Sequence, residues 1–416
     1  MRVLQQRPKI ALVVPSLAQG GGVPAVARFV KDTILRSGRF DLKLVSLSTS
    51  SLDQSSLNFS QRATWRRGAI TAKGIWDDLP YVHVGAVGGE LEFQRYQPRT
   101  VLTDALADCD IIQVVCGSSA WANTVVGLGK PVALQVATRV KVERRLRDAN
   151  PKNLAGWWRK GMTHVTDKLD DRALRAVDAI QLENPWMLDY AKQINCDRAN
   201  VDIRYAPPGV NVDTFCPLSE RPSLANPYIL FVGRLDDPRK NVGLLLKAFQ
   251  LLPVSLAHVH LVTAGSGRPP QEYWEKVKAM GLQDRVRHIH RPETADLVNL
   301  YQEATVFALS SDEEGLGVVI LEAMACAIPV VSTRCGGPDG IITEGKDGFL
   351  VPLDDSAAMA AQLTTLFVNR QLNVHMGLQA RKTIEDRYAE EVTGQVFIDI
   401  WNGLVQKSIK NKGNKL

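Results

Sequence analysis

The chain of 416 residues is long enough for two domains with substantial cores, and its 45% hydrophobic and 23% charged residues are typical of globular proteins. No run approaches the roughly 20 apolar residues of a membrane-spanning helix, which argues against a membrane span. The net charge of +6 suits phosphate-bearing ligands or an anionic membrane surface. It is weak evidence for nucleic acid, so no nucleic-acid partner is predicted.

Cysteine usage and the N-terminus indicate a cytoplasmic protein. The six cysteines include no Cys-x-x-Cys pair and have no histidine at zinc spacing, as expected of reduced core thiols. The segment Arg7–Lys9 interrupts the N-terminus before the apolar core of a signal peptide is complete. The triplet Asp108–Asp110 has the form of an Asp-x-Asp metal motif, but it opens a strand pattern, so no metal site is predicted.

The first half of the chain alternates between strand and helix patterns. Lys9–Pro15 predicts a buried strand, the glycines up to Gly21 and Gly22 follow it, and Ala25–Leu35 predicts a helix. Glycines after a strand let the backbone approach a ligand and leave amides free, and a plain tight turn is the alternative. Later strand patterns separated by helical lengths predict a doubly wound parallel sheet. These strands are Asp41–Leu47, Tyr81–Val87, Asp110–Val115 and Lys130–Val136.

The stretch Arg139–Lys160 is the most cationic in the chain and ends near the pair Trp157-Trp158. Paired tryptophans among cations suit a membrane interface or a lipid-linked acceptor. The alternative is a solvated basic face with the tryptophans in the core. The sequence slightly favours this alternative, because Glu143 and Asp148 dilute the charge and no clean amphipathic stripe is visible.

The second half begins after a segment rich in proline and glycine, Tyr205–Phe215, which predicts a linker. The apolar run Tyr228–Val232 then predicts a strand that ends in Gly233 and Arg234, and Lys240 precedes a helical pattern. An arginine offers a planar fork to phosphate oxygens and a lysine offers a point charge, as a departing diphosphate requires. Two surface cations near a turn are the alternative.

The run Val306–Leu309 predicts a strand, and the segment Ser310–Val331 that follows predicts a glycine loop, a helix beginning near Val318 and a second strand. Its loop precedes a helix N-terminus, where free amides and the helix dipole favour an anion. Glu314 stands before the helix and Glu322 about one turn inside it, and ionised carboxylates accept hydrogen bonds from hydroxyl groups. A ligand that carries both a diphosphate and hydroxyl groups is a nucleotide sugar. From this local pattern alone, a surface loop before an ordinary amphipathic helix is an equally good interpretation.

The spacing Glu-x7-Glu, with Gly-Leu-Gly after the first glutamate, resembles the donor-site motif of retaining glycosyltransferases of family four, the glycosyl transferases group 1. The resemblance implies an α/β GT-B fold, in which two Rossmann-like doubly wound parallel-sheet domains face a cleft. It also implies roles for this sequence: Glu314 contacts the donor sugar, Glu322 holds the ribose, and the amides of Gly317, Val318 and Val319 meet the phosphates.

Other site residues follow from the same resemblance. Arg234 and Lys240 are expected to bind the donor diphosphate, and Gly21 and Gly22 to face the phosphate and the acceptor. The loop beginning at His290 and Arg291 is expected to contact the base. The resemblance is strongest from about residue 205 to residue 352.

Two departures from the family concern the acceptor side. Many members carry a histidine where this chain has Gln113, and many read Thr-x-His where Thr138 is followed by Arg139. The absence of this histidine puts acceptor-side chemistry in doubt. Arg139 is the candidate to replace it for an anionic acceptor.

The resemblance implies a retaining, metal-independent hexosyltransferase without a cofactor, which uses a UDP- or GDP-linked sugar as co-substrate. The expected acceptor is a glycan, a lipid-linked molecule or a small molecule, as in cell-surface polysaccharide or glycolipid biosynthesis. The alternatives are a non-catalytic GT-B module that binds nucleotide sugar or glycan, and a GT-B epimerase or phosphorylase. The expected domains are an acceptor domain (1–205), a donor domain (206–389), a C-terminal helix (390–405) that packs back on the first domain, and a disordered basic tail (407–416).

Overall fold

The computed structural model describes residues 7–17, 22–219 and 226–413. The chain divides into two compact units. The first comprises the residues up to Pro208 and those from Thr393 onward, and the second comprises Gly209–Val392. The change of unit after Pro208 lies close to the boundary expected after residue 205.

A sheet of eight strands forms the centre of the first unit. The strands are β1 (Lys9–Pro15), β2 (Asp41–Leu47), β3 (Thr71–Trp76), β4 (Leu79–Val84), β5 (Ile111–Ser118), β6 (Val132–Thr138), β7 (Ala179–Leu182) and β8 (Asp202–Tyr205). Their order is β3-β4-β2-β1-β5-β6-β7-β8, and all neighbours are parallel except β3 and β4. Its central strands are runs of Ile, Leu, Val and Ala because both faces of a parallel sheet are covered.

Helices cover both faces of this sheet. They are α1 (Gly22–Ser37), α2 (Arg62–Trp65), α3 (Thr100–Ala105), α4 (Val140–Glu143), α5 (Arg145–Ala149), α6 (Leu154–Leu174) and α7 (Pro185–Ile194). One hydrophobic cluster joins the sheet to α1, and a second joins the opposite face to α3, α6 and α7.

The second unit contains a sheet of six parallel strands. The strands are β9 (Tyr228–Val232), β10 (His260–Gly265), β11 (Val286–His290), β12 (Val306–Leu309), β13 (Val330–Thr333) and β14 (Gly348–Val351), in the order β11-β10-β9-β12-β13-β14. Its helices are α8 (Val242–Gln250), α9 (Gln271–Ala279), α10 (Thr294–Glu303), α11 (Val318–Ala325), α12 (Pro338–Ile341), α13 (Ser356–Val368) and α14 (Arg370–Arg387). The C-terminal helix α15 (Glu390–Gly413) begins at the end of this unit and belongs to the first unit from Thr393 onward.

The two sheets repeat one topology. In each unit the first strand is central, the next strands extend the sheet to one side, and the chain then returns to the other side of that first strand. The strand order therefore reverses beside β1 in the first unit and beside β9 in the second. Ligands of open α/β sheets bind at such a reversal, outside the carboxyl ends of the strands.

Helix α15 contributes its apolar face to the core of the first unit. Phe397, Ile400 and Trp401 are buried there, and the Phe397 ring meets the edge of Phe29 at a centroid distance of 5.3 Å. The Trp401 indole donates a hydrogen bond of 2.7 Å to the Gln113 side chain on β5. The C-terminal helix is thus fixed to the first sheet by aromatic packing and one buried hydrogen bond.

The structure differs from the sequence expectations in three elements. Strand β3 was missed because its residues are mostly exposed and lack an apolar pattern; it pairs with β4 through a turn at Asp77 and Asp78, both with positive φ. Helix α6 begins at Leu154, inside the cationic stretch Arg139–Lys160, for which the sequence showed no clean amphipathic stripe. The tail was expected to be disordered, but α15 continues to Gly413, since a packed helix propagates readily into polar residues.

Candidate active site

The predicted site residues of the second unit gather at the reversal beside β9. Strands β9 and β12 are paired neighbours, with Ile229 opposite Val306 and Leu230 opposite Phe307. The loop after β9 carries Arg234 and Lys240, and the loop after β12 carries Glu314. Because both strands end at the same edge of a parallel sheet, these loops are brought side by side.

Glycines allow the neighbouring loops to pack closely at this edge. Gly265 ends β10 with φ of +152°, and a Cβ atom there would lie 2.0 Å from the Gly233 carbonyl oxygen. A side chain at Gly337 would likewise meet the backbone oxygen of Leu316 at 2.4 Å. Any residue with a Cβ at these two positions would force the loops apart.

A salt bridge joins the two loops. The Lys240 ammonium lies 2.6 Å from Oε1 of Glu314, and the Ser311 hydroxyl donates to the same oxygen at 2.6 Å. Both charged side chains are largely buried, so their attraction is only weakly screened by water. The lysine and the glutamate that the sequence assigns to diphosphate and sugar are therefore direct neighbours.

Backbone hydrogen bonds hold this arrangement. The Asp312 amide donates to the Arg239 carbonyl at 2.8 Å, and the Ser310 hydroxyl donates to the Lys240 carbonyl at 2.9 Å. Asn241 adopts a left-handed conformation, with φ of +40°, and its side chain caps α8 and donates to Asp312. Hydrogen bonds thus tie the two loops together, an arrangement that suits electrostatic stabilisation by preorganised groups.

Arg234 presents its guanidinium at the surface of the same edge. Its side chain is 48% exposed and donates to Oδ2 of Asp237 at 2.7 Å. Burial tends to raise the pKa of Asp237, but hydrogen bonds and charge from Arg239, with the charge of Arg234, hold that pKa below its usual value. Asp237 is therefore ionised and orients Arg234 while leaving much of the guanidinium accessible.

Helix α11 starts at this site with free amide groups. Gly317 is its N-cap, with φ of +87°, and offers no side chain to cap the helix. Within the described part of the chain, the amides of Val318 and Val319 have no hydrogen-bond acceptor. Such amides at the positive end of a helix dipole suit a phosphate.

The second glutamate of the motif is held by a tyrosine that the sequence did not reveal. The Tyr301 hydroxyl on α10 donates to Glu322 on α11 at 2.7 Å. Burial raises the pKa of Glu322 to about 7, although this hydrogen bond works in the opposite direction. Tyr301 is fully buried and packs edge-on against Phe215, with ring centroids 5.9 Å apart. Glu322 is therefore oriented from behind by a rigid aromatic side chain.

The residues expected near the base lie at the end of β11. His290 is the last residue of the strand, and Arg291 follows it with φ of +49°. Both are exposed, and the Arg291 amide donates to the Gly265 carbonyl at 2.8 Å. Strand β11 is two strands away from β9, or roughly 10 Å. This separation is compatible with one nucleotide that reaches from Arg234 to this loop.

The predicted residues of the first unit are placed differently. Gly22 begins α1, whereas Gly21 lies outside the described residues. Gln113 is fully buried between Gln181 and Trp401, with hydrogen bonds to both. It is a core residue and does not stand in for the missing histidine.

Arg139 is engaged by acidic and aromatic neighbours. Its guanidinium lies 2.7 Å from Asp167 and 2.9 Å from Asp171, and 4.1 Å from the centre of the Tyr190 ring. Two carboxylates already balance its charge, which weighs against capture of an anionic acceptor. Its acceptor-side role stays a prediction.

One histidine of the first unit, for which the sequence predicted no role, takes part in a hydrogen-bond network. His83 is the penultimate residue of β4, with ring nitrogens 3.3 Å from Ser46 Oγ and 3.0 Å from Asp53. The Leu17 amide donates to the same Ser46 hydroxyl at 3.3 Å. His83 is therefore connected to the start of the loop that carries the glycines, and only the tertiary structure could show this.

The interpretation of the two tryptophans that the sequence slightly favoured was wrong. Trp157 and Trp158 lie on α6 and are 60% and 58% exposed, so they do not contribute to the core.

Among the described residues, no helix combines the length and apolar character needed to cross a bilayer. The same residues contain no group of three or more His, Cys, Asp or Glu side chains arranged to hold a metal ion.

Comparison with solved structures defines the class of fold. Sucrose-phosphate synthase from Thermosynechococcus elongatus superposes with a TM-score of 0.72 over 96% of this chain and 100% of that chain, at 17% identity. HepE from Anabaena, solved in complex with UDP and glucose, gives a TM-score of 0.68 over 95% and 100% of the two chains, at 15% identity. The two parallel-sheet units confirm the predicted GT-B fold.

Sequence matches indicate a related family. Residues 219–383 match the family described as glycosyl transferases group 1. A phosphatidyl-myo-inositol mannosyltransferase of Mycobacterium leprae is 32% identical over 46% of this chain and 52% of the relative. A D-inositol 3-phosphate glycosyltransferase of Arthrobacter is 30% identical over 62% of this chain and 63% of the relative. The matches span less than two thirds of the length of these relatives.

Proposed function

We propose that this protein is a nucleotide-sugar-dependent glycosyltransferase. The observation that carries the proposal is the pairing of Lys240 with Glu314 beside the free amides of α11. A diphosphate needs positive charge and amide donors, whereas a sugar needs hydrogen-bond acceptors for its hydroxyl groups. Both requirements are met within one loop system, at the sheet reversal where α/β folds bind ligands.

The proposed reaction transfers the sugar with retention of anomeric configuration. The bond between the anomeric carbon and the diphosphate oxygen breaks, and the acceptor oxygen forms a new bond to that carbon on the same face. The leaving phosphate oxygen takes the acceptor proton, so no covalent nucleophile is needed. Arg234, Lys240 and the amides of Val318 and Val319 stabilise the charge that develops on the diphosphate. Because these groups supply the positive charge, we propose that the reaction is metal-independent.

In this proposal Glu314 and Glu322 set the position of the donor. Glu314 accepts hydrogen bonds from the sugar, and Lys240 is freed from it to meet the phosphates. Glu322 accepts hydrogen bonds from the ribose, and His290 and Arg291 lie beside the base. Arg239, which already pairs with Asp237 and Glu313, keeps a structural role.

The acceptor and the cellular setting belong to the same proposal. Names of relatives include transferases that act on inositol phosphates and phosphatidyl-inositol. We therefore propose a phosphorylated, glycan or lipid-linked acceptor bound by the first unit, in a cytoplasmic protein with peripheral membrane contact through Arg139–Lys160. The exposed cations of that stretch, such as Lys152 and Arg159, suit an anionic acceptor or surface.

A non-catalytic module that binds nucleotide sugar is the second candidate. It is favoured by one observation, namely that Gln113 and Arg139 are both committed to structural contacts in the first unit. A measurement of donor hydrolysis in the absence of acceptor distinguishes the transferase from the binding module. A transferase without acceptor still passes the sugar slowly to water. A donor that stays intact after prolonged incubation with stoichiometric protein would favour the binding module.

A screen of nucleotide sugars by thermal unfolding tests the proposal. A ligand that binds only the folded state raises the unfolding temperature in proportion to the logarithm of its excess over Kd. We expect UDP- or GDP-linked sugars to raise this temperature by several degrees, with little effect from the free sugars. If no nucleoside diphosphate or nucleotide sugar shifts unfolding at millimolar concentration, the proposed function is wrong.

A further inference from the structure

The N-terminal turns of α6 expose large apolar side chains to solvent. Leu154, Trp157 and Trp158 are 89%, 60% and 58% exposed, and Gly161, one turn further, is also exposed. Positions separated by three, four and seven residues lie on one face of a helix. These four residues form one exposed stripe, which we call the tryptophan face.

The opposite face of the same helix is buried although it is polar. Its buried residues include Gly156, Thr163, Thr166, Asp167 and Asp170. Asp170 accepts hydrogen bonds from the Ser118 and Ser119 hydroxyls and from the amides of Ala120 and Val140. An amphipathic surface helix normally buries its apolar side. The N-terminal turns of α6 do the reverse, whereas its last turn buries Ala173 and Leu174. The buried hydrogen bonds fix this orientation, because rotation would leave a carboxylate without partners.

Cations surround the tryptophan face. Lys152, Arg159 and Lys160 are exposed, and no acidic residue occurs from Ala149 to Thr166. The Lys160 ammonium lies 5.5 Å from the centre of the Trp157 ring, which keeps the charge directly beside the apolar surface. The face is therefore apolar at its centre and positive at its edge.

We propose that the tryptophan face binds the surface of a bilayer that contains anionic lipid. Indole rings favour the boundary between headgroups and acyl chains, and a helix with this arrangement lies in the plane of that boundary. Lysine and arginine next to it are attracted by anionic headgroups within a Debye length. A second copy of this chain would need acidic groups to match the cations and an apolar surface to cover the two indoles. An anionic bilayer offers both, since its headgroups are negatively charged and its acyl chains are apolar.

This inference deepens the proposed function by naming the surface at which the transferase meets its acceptor. Binding to vesicles is measured without donor or acceptor, so it can fail while nucleotide-sugar binding succeeds, and the reverse. The two proposals are thus tested separately.

The test is flotation of the full chain with vesicles of phosphatidylcholine alone or mixed with phosphatidylglycerol. We expect the mixed vesicles to bind at least ten-fold more tightly, and 0.5 M salt to reverse most of that difference. Trp157→Ser/Trp158→Ser should weaken binding at least ten-fold. Arg159→Gln/Lys160→Gln should weaken it by about five-fold per removed charge.

Matched controls lie on α9 of the second unit. Trp274→Ser removes another exposed tryptophan, and Lys276→Gln/Lys278→Gln removes two exposed cations. These variants should bind within two-fold of the unchanged chain. Because all substituted side chains are exposed, thermal unfolding should be unchanged and will confirm that each variant folds.

The inference is overturned by any of three results. The chain fails to bind mixed vesicles, or the α9 variants weaken binding as much as the α6 variants, or the tryptophan variants abolish self-association in sedimentation while no vesicle binding is seen. The last result would assign the face to a second copy of the chain.

Discussion

The two sheets share a topology, but the chemistry at their reversals differs. In the second unit the loops after β9 and β12 carry Arg234, Lys240 and Glu314, which are charged and partly accessible. In the first unit β5 ends at Ser118 and is followed by Ser119, and the hydroxyls of both serines donate to the buried Asp170. The same position in the fold thus carries a cluster of charged side chains in one unit and a packed hydrogen-bond network in the other.

This difference shows that topology provides a location and that the side chains decide its use. At the second sheet, the opposite charges of Lys240 and Glu314 face each other across two loops, and the guanidinium of Arg234 beside them stays accessible to solvent. At the first sheet, α6 fills the space with Asp170 and its four hydrogen-bond donors. Substitutions in the loops after β9 and β12 should therefore change turnover. Substitutions of the buried charged residues that pack at α6 in the first unit should instead change the free energy of unfolding.

The largest expected effect concerns Glu314. We expect Glu314→Ala to lower transfer by about a thousand-fold, because it removes the acceptor for the sugar hydroxyls where charge develops. Binding of the nucleoside diphosphate alone should be largely kept, since Lys240 then carries an unpaired charge for the phosphates. Turnover is measured by release of nucleoside diphosphate, and nucleotide affinity by calorimetry.

The matched control is Glu313→Ala, which removes the neighbouring carboxylate that pairs with Arg239. It should retain most of the activity. Transfer that is unchanged in Glu314→Ala, or lost equally in both variants, would refute the role of Glu314.

The next prediction concerns Arg139, a charged residue of the first unit. Arg139→Ala leaves Asp167 and Asp171 without their cation, and breaking such a part-buried pair costs about 2 kcal/mol or more. We expect a lower free energy of unfolding in urea and little change in the KM for the donor. Arg145→Ala, at an exposed position in α5, should leave stability unchanged.

If Arg139→Ala instead keeps full stability and raises the KM for the acceptor, the arginine binds substrate. The first unit would then also use a charged residue near its sheet to bind a ligand, and the two units would differ less than their hydrogen bonds indicate.

The smallest effect is a shift in pH dependence at Glu322. Burial raises the pKa of Glu322 to about 7, so donor affinity should increase with pH as the carboxylate ionises around neutrality. Tyr301→Phe removes the hydrogen bond that lowers this pKa, so the midpoint of the affinity profile should move to higher pH. Affinity measured at pH 6 to 9 gives the midpoint.

Tyr388→Phe is the control for this loss of one hydroxyl. Tyr388 is also buried, and its hydroxyl donates to the Gly340 carbonyl at 2.8 Å. Its removal should leave the pH profile in place. A profile that moves equally in both variants, or in neither, would show that Tyr301 does not set the ionisation of Glu322.

Local features of the fold and site could be predicted from the sequence, and long-range features could not. Strands β1 and β12 were predicted with their observed bounds because each is a continuous apolar run. The loop of Glu314 and Gly317 was visible because its residues are adjacent in the chain. The contact of Tyr301 with Glu322, and that of His83 with Asp53, join residues 21 and 30 positions apart. Nothing in either local pattern indicates the partner.

The exposed tryptophans show a different limit. Large apolar residues are usually buried, so the sequence favoured a core position for Trp157 and Trp158. The orientation of α6 is decided instead by Asp170, whose four hydrogen-bond donors come from residues far away in the chain. The free-energy cost of leaving the Asp170 carboxylate unpaired in the core is larger than the cost of exposing two indoles. The hydrogen bonds of Asp170 therefore decide which face of α6 is buried.

The central claim is that Arg234 and Lys240 hold the diphosphate of a nucleotide sugar. Its most direct test is the rise in unfolding temperature with UDP- and GDP-linked sugars, compared between the unchanged chain and Arg234→Ala/Lys240→Ala, with the exposed Lys247→Ala as control. The account predicts a rise of several degrees that the double variant loses and the control keeps. An equal rise in the double variant would contradict the account.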